Sequence, residues 1–244
     1  MALTRVVRHD GVLLLGLDRP DKRNALDEAM VDEIDAVLRD ASREEPAVLV
    51  VHSTTPGMFV SGADIGELIE RDADAALRSI NAGLFDRLEA HRWPTITAID
   101  GAAFGGGCEL ALACDLRVAS PNARFAQPEL NLGILAGAGA NWRLPALVGI
   151  GMARRMLYTG EIVDADTALT SGLVDAVHPT DELLTEAIAL AERIGQRSWR
   201  ALELTKLALR QHRPATTGLD VAAQALLFES DEKRRRMQAF LDKR

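Results

Sequence analysis

Apolar residues along the first part of the chain recur in two alternating rhythms. Short runs of aliphatic residues at 12–17, 47–51, 95–99 and 116–119 fit buried strands, and the stretches between them carry helical spacing. Met30, Ile34, Val37 and Leu38 line one side of a helix predicted over 27–39, with Asp27 placed to cap its start. A second helix is predicted over 73–90, and Trp93-Pro94 ends it before the next strand, because a residue preceding proline avoids helical backbone. Strands alternating with helices imply an α/β fold. Beyond about residue 180 the strand signals stop, and helices are expected at 181–194, 199–211, 217–228 and 231–241. Leu219, Ala222, Ala223, Leu226 and Leu227 would then need to pack on the α/β body or on another subunit.

Composition narrows the class. With 244 residues, 48% hydrophobic and 26% charged, and no low-complexity run, the chain reads as an ordinary soluble globular protein. Its longest apolar runs fall well short of the roughly 20 residues of a membrane helix. The first residues lead straight into strand-like alternation, so no signal peptide is expected and the expected location is cytoplasmic. A net charge of −8 weighs against nucleic-acid binding, and a polyanionic ligand would need a local basic patch. Cys108 and Cys114 lack the C-x-x-C spacing of metal and redox pairs and read as reduced structural thiols. His9, His52, His91, His178 and His212 follow no metal-ligand pattern, so neither a metal nor a redox cofactor is expected.

The candidate chemistry lies in two glycine-rich turns and two acids. Residues 99–115 run from a strand through Gly105-Gly106-Gly107 into a helix of small residues. The first N–H groups of a helix lack internal partners, so an oxygen can accept from them there. Alone, a glycine triplet reads first as a tight strand-to-helix packing turn. It lacks the lysine of a phosphate-binding loop, and Gly149-Ile150-Gly151 meets Arg154 where a dinucleotide fingerprint needs glycine. Glu109 falls in the first helical turn among apolar neighbours, where a buried acid is costly. Glu129, after Gln127-Pro128, reads equally as a surface loop residue.

Taken together these pieces resemble the crotonase superfamily, most closely the enoyl-CoA hydratases. The matching segments are Arg19-Pro20 with Asn24-Ala25-Leu26, Ser61-Gly62-Ala63-Asp64-Ile65, Gly105-Gly106-Gly107-Cys108-Glu109-Leu110-Ala111, Cys114-Asp115, Phe125-Ala126-Gln127-Pro128-Glu129 and Gly137-Ala138-Gly139. Arg143-Leu144-Pro145 and Thr159-Gly160 extend the match. The resemblance implies a spiral of β-β-α units over residues 1–185 and a helical oligomerisation region over 186–244, in trimers or dimers of trimers. It implies a bent acyl-CoA whose adenine lies near Asn24-Ala25-Leu26, with Ala63, Asp64, Ile65 and Gly66 along its path. It places the thioester oxygen between the backbone N–H groups of Ala63 and Gly106, a water between Glu109 and Glu129, and the Gly137 N–H beside that water.

The expected reaction is reversible syn addition of water to a 2-enoyl-CoA, giving a 3-hydroxyacyl-CoA in fatty-acid or related acyl breakdown. Glu109 would orient and deprotonate the water while Glu129 supplies a proton to Cα. The alternatives are a Δ3-Δ2 enoyl-CoA isomerase, a hydratase of branched or aromatic acyl groups, and, in a different class, a non-catalytic acyl-CoA binder or an RNA-associated homologue. Both glutamates argue for the hydratase, and net acidity argues against RNA. Where hydratases commonly read Pro-Gly-Ala-Gly-Gly, this chain has Ala136-Gly137-Ala138-Gly139-Ala140 followed by Asn141-Trp142. Trp142 either fills part of the acyl pocket or caps the helix beginning there. Lys22 and Arg23 flank the adenine-side turn together with Ala25, and Lys233-Arg234-Arg235-Arg236 offers a second cationic patch for CoA phosphates or a solvated helical face.

Overall fold

The computed structural model describes residues 2–210 and 218–243. Gln211 and Thr217, expected at helix ends, and His212 lie outside the described residues. The chain opens with an antiparallel hairpin of β1 (Thr4–His9) and β2 (Val12–Leu17). Asp27 caps α1 (Glu28–Ala41) by accepting the Met30 N–H at 2.9 Å, and Met30, Val31, Ile34 and Leu38 are buried on the inward face. β3 (Val48–Ser53) then pairs in parallel with β2. Residues 48–51 are all buried, which is why the run is continuously apolar rather than alternating.

Residues 65–89 form α2 (Ile65–Leu68), α3 (Ala73–Arg78) and α4 (Ile80–Glu89), so the single helix expected over 73–90 is two. Ser79 breaks it with a left-handed φ of 51°. Next come β4 (Thr95–Ile99), β5 (Ala102–Phe104), α5 (Gly106–Ala113), β6 (Leu116–Ala119) and β7 (Arg124–Ala126). The long α6 (Ala140–Thr159) is interrupted at Gly149, so Gly149-Ile150-Gly151 serves a kink and no strand leads into it. β8 (Val163–Asp164), α7 (Ala165–Ser171) and β9 (Ala176–Val177) complete two sheets. The larger has the order β1-β2-β3-β4-β6-β9, parallel beyond the first hairpin, and the smaller has the order β5-β7-β8.

Four helices follow: α8 (Leu183–Gly195), α9 (Trp199–Leu209), α10 (Gly218–Phe228) and α11 (Asp231–Leu241). Leu183, Ala187 and Ala191 of α8 cover a sheet face made by Val12, Val48, Val50, Ile96 and Val118. The expected division at residue 185 thus falls inside a helix packed on the sheet. The break at Ser79 has its reason here, because α3 packs on α10 while α4 packs on α1, and one straight helix cannot serve both. Ala225 and Phe228 carry the inward face of α10, whereas Leu226, expected to pack, is 79% exposed on the chain.

Two buried lysines tie these helices to the body. Lys206 of α9 donates to Asp115 Oδ2 at 2.6 Å and to the Trp93 carbonyl at 3.0 Å. Lys233 of α11 donates to the carbonyls of Ile69 and Arg71 and lies over the Phe228 ring. Lys233 is therefore not part of an exposed phosphate-binding patch, as the cluster 233–236 suggested, although Arg234, Arg235 and Arg236 are exposed.

Candidate active site

Two backbone segments are brought together by chain crossings that local sequence does not announce. Leu26 forms a parallel bridge with Ala63, in which Leu26 N–H donates to Gly62 O at 2.8 Å and Asp64 N–H donates to Leu26 O at 3.0 Å. This pattern uses the neighbours of Ala63 and turns its own N–H away from Leu26. Gly106 is the first residue of α5, so its N–H has no acceptor within the helix. A Cβ built on Gly106 would stand 3.6 Å from Ala63 N, which sets the two donors side by side.

The glycines are needed for close approach and for a left-handed turn. A Cβ on Gly107 would stand 2.2 Å from the Val60 carbonyl oxygen, which forces α5 against the bridge between Val60 and Ala103. Gly105 has φ +51°, and a Cβ there would stand 2.8 Å from Glu129 Oε1. The glycine triplet thus starts the helix, packs it and makes room for the second acid.

Both glutamates are buried, at 3% exposure for Glu109 and 9% for Glu129, and both line one cavity of about 400 Å³. The loop-surface reading of Glu129 is overturned: it opens a short 3-10 turn over Glu129–Leu132. Glu109 Oε1 accepts from the N–H groups of Ala138 and Ala140 at 2.8 and 3.1 Å, which favours the carboxylate form. The Gln127 side-chain amide lies 3.1 Å from both Glu129 oxygens. Burial, and then the charge of Glu109, push the Glu129 carboxyl up to about 8. The two acids thus sit in unlike surroundings: two backbone N–H groups meet Glu109, and burial and its neighbour incline Glu129 to keep a proton.

The loop that holds Glu109 is itself braced. Arg143, 4% exposed, donates to Ala138 O at 2.8 Å and, through Nη2, to Asp86 and Glu89 at 2.9 Å each. Gly139 has φ +114°, and a Cβ there would collide with Arg143 Nη1 at 2.1 Å. Trp142 stacks beneath the Arg143 guanidinium at 4.2 Å in the first turn of α6 and does not line the cavity. Of the two readings the sequence left open, filling part of the acyl pocket is the one this position does not fit. Sequence reasoning placed Arg143 in a matching segment without giving it a role, and missed the Ala138 and Ala140 donors, because main-chain donors leave no side-chain signature.

Of the other expected residues, Lys22, Ala25, Ala63, Asp64, Ile65, Gly106 and Gly137 line the cavity. Arg23 is exposed and Gly66 gives its N–H to Asp64 Oδ1 at 3.0 Å, and neither lines it. Asn24 is buried and structural: its Oδ1 accepts the Arg19 N–H at 2.8 Å, and its Nδ2 donates to Phe59 O at 2.8 Å. Unanticipated lining residues are Asn81, Arg71 and, from the C-terminal helices, Gln224, Phe228 and Phe240. Cys108 and Cys114 are free and buried, and burial raises both thiols well above the ordinary range. His91 is buried and pushed down to about 4 by desolvation and then by Lys206. Among the described residues, no group of three or more His, Cys, Asp or Glu is arranged to hold a metal, and no helix is long and apolar enough to cross a membrane.

Comparison with known proteins places this geometry. A family model described as enoyl-CoA hydratase/isomerase matches residues 8–244. The chain is 39% identical to 2,3-dehydroadipyl-CoA hydratase of Escherichia coli K12 over 98% of its own length and 95% of that protein. It is 38% identical to crotonyl-CoA hydratase of Syntrophomonas wolfei, covering 97% of this chain and 94% of that protein. The crystal structure of enoyl-CoA hydratase from Mycobacterium tuberculosis H37Rv aligns with a TM-score of 0.82 at 34% identity, covering 94% of this chain and 100% of that one. Matched in sequence along nearly its whole length and in fold by solved members, the chain belongs to the enoyl-CoA hydratase/isomerase family, with the crotonase-like fold.

Proposed function

We infer that the protein is an enoyl-CoA hydratase, a hydro-lyase that adds water reversibly and syn across the double bond of a 2-enoyl-CoA to give a 3-hydroxyacyl-CoA. One observation carries the reading: Glu109 and Glu129 line a single cavity beside the paired donors of Ala63 and Gly106. The thioester oxygen accepts from those two N–H groups, which draws electrons from the double bond and stabilises the enolate formed on addition. Water lies between the acids. Glu109, oriented by the N–H groups of Ala138 and Ala140, takes its proton as oxygen attacks Cβ. Glu129, inclined to stay protonated, gives its proton to Cα on the same face. The Gly137 backbone steadies the water, Ala25, Asp64 and Ile65 guide the CoA arm, and Lys22 meets its anionic part. The reaction needs no metal or redox cofactor.

Relatives named for 2,3-dehydroadipyl-CoA and crotonyl-CoA support a hydratase of acyl-CoA thioesters. Exposed Leu204, Leu207 and Leu209 on α9 and Leu226 on α10 support assembly of the C-terminal helices into trimers or dimers of trimers. Light scattering on the purified protein should give three or six times the chain mass. The activity is tested by following loss of the conjugated enoyl-thioester absorbance across several chain lengths. Glu109→Gln and Glu129→Gln should each lower kcat by about 10²–10⁴ while keeping CoA-thioester binding. Double-bond migration without water addition would point to an isomerase, and unchanged behaviour of both variants to a non-catalytic binder.

A further inference from the structure

Three residues with side-chain amides line the acyl cavity, Asn81, Asn131 and Gln224, where an all-hydrocarbon acyl group would call for none, and the amides of Asn81 and Gln224 lie near Gly106 and Gly137. Much of its wall is apolar, including Ala75, Ala76, Ile80, Leu132, Ile134 and Phe228. Asn81, in the first turn of α4, also lines it, and its Oδ1 is buried without a hydrogen-bond partner among the described residues. Its Nδ2 lies 3.8 Å from the point where a Gly106 side chain would stand, close to the paired donors of the thioester site. Gln224 reaches the same cavity from α10. Its Oε1 is taken by the Leu135 N–H at 3.2 Å, which directs Nε2 to within 3.0 Å of the corresponding point at Gly137.

Two elements far apart in sequence thus each deliver a side-chain amide to one cavity, near Gly106 and near Gly137. The buried atom of this pair that has no partner among the described residues is the acceptor Asn81 Oδ1. Leaving it unpaired in a largely apolar pocket is destabilising, and leucine would be the better solution for a plain fatty acyl chain. A substrate hydroxyl can donate to that oxygen, and a hydroxyl or carboxylate oxygen can accept from the amide nitrogens. Arg71, the other long polar side chain reaching this end, is paired with Glu67 at 3.5 Å.

We propose that Asn81 and Gln224 are specificity residues that select 2-enoyl thioesters whose acyl group carries an oxygen substituent, a hydroxyl or a carboxylate, within reach of the two amides. The proposal rests on the hydratase reading and adds the chemical class of its substrate.

The test compares kcat/KM for 2-hexenoyl-CoA with that for enoyl thioesters of the same length bearing a hydroxyl on the fourth or sixth carbon or a terminal carboxylate. The protein should prefer at least one oxygenated thioester by about tenfold or more, and Asn81→Leu or Gln224→Leu should reduce that preference by about 10–100-fold. Because both substrates are measured on one preparation, the ratio is insensitive to partial misfolding. Equilibrium binding of the matching saturated thioesters reads the same preference without turnover. A preference for 2-hexenoyl-CoA and its saturated analogue, or ratios unchanged in both variants, overturns the proposal. Failure to hydrate any of the thioesters counts against the hydratase reading, while the binding ratio still decides the role of the two amides.

Discussion

At the scale of single residues, the site depends on making two identical side chains chemically different. Glu109 is met by two N–H donors, and Glu129 is buried beside it on the far side of Gly105. With Glu129 as the proposed acid, hydration kcat/KM should fall as pH rises through about 8, and that limb should vanish in Glu129→Gln. Removing the neighbouring charge with Glu109→Gln should move the titration of Glu129 to lower pH, a shift that NMR of the labelled carboxyl would record. The sign for stability follows from the same elevation. In the unfolded chain a glutamate titrates near about 4.3. Between there and about 8 the native protein keeps a proton that the unfolded chain has lost, so stability declines as pH rises across that window. Denaturant midpoints measured across this range should decline less steeply in Glu129→Gln than in the parent protein.

At the scale of elements, α5 and the loop before α6 act as a pair. The sequence showed α5 through its glycines and small residues, and it showed Glu109 as an acid in an apolar context. The brace on Glu109 was not legible, since it comes from backbone N–H groups of Ala138 and Ala140 on a loop that Arg143 holds to α4. The strands of the smaller sheet were missed for another reason: with two or three residues each they contain no period to detect. The geometry at the start of α5 gives a sharp prediction. Gly105→Ala would place a methyl group against Glu129 Oε1 on a residue with left-handed φ. Kinetics should show kcat lowered by about 10²-fold through displacement of the acid. Thermal unfolding should show a loss of about 1–2 kcal/mol from the strained backbone.

For the whole molecule, the C-terminal helices are part of the cavity. α10 and α11 fold back on residues 65–78 through a cluster of Leu68, Ala76, Ile134, Ala225, Phe228 and Met237. Lys233 secures that contact, since its ammonium group pairs carbonyls that no other side chain reaches among the described residues. Lys233→Met keeps the apolar stem but leaves those carbonyls unpaired, and should cost about 1–3 kcal/mol in denaturant unfolding. It should also raise KM as the segment bearing Ala63 to Ala76 loosens, whereas neutralising only Arg234, Arg235 and Arg236 should leave the fold stable. Salt dependence of CoA-thioester binding in that triple variant reports whether those exposed arginines meet the phosphates.

The sequence by itself determined the α/β class, the main strands, the order of the C-terminal helices, and the identity of the two acids and two glycine turns. These are local properties: runs of apolar residues, caps, and glycine where a Cβ cannot fit. Only the tertiary structure decided that Glu129 is buried, that Trp142 stacks on Arg143 outside the cavity, that Lys233 ties down a helix, and that Asn81 and Gln224 line the same cavity. Each of these depends on which distant segment packs beside the residue. Burial, pairing and carboxyl titration are set by that neighbour and not by the residue's own place in the chain.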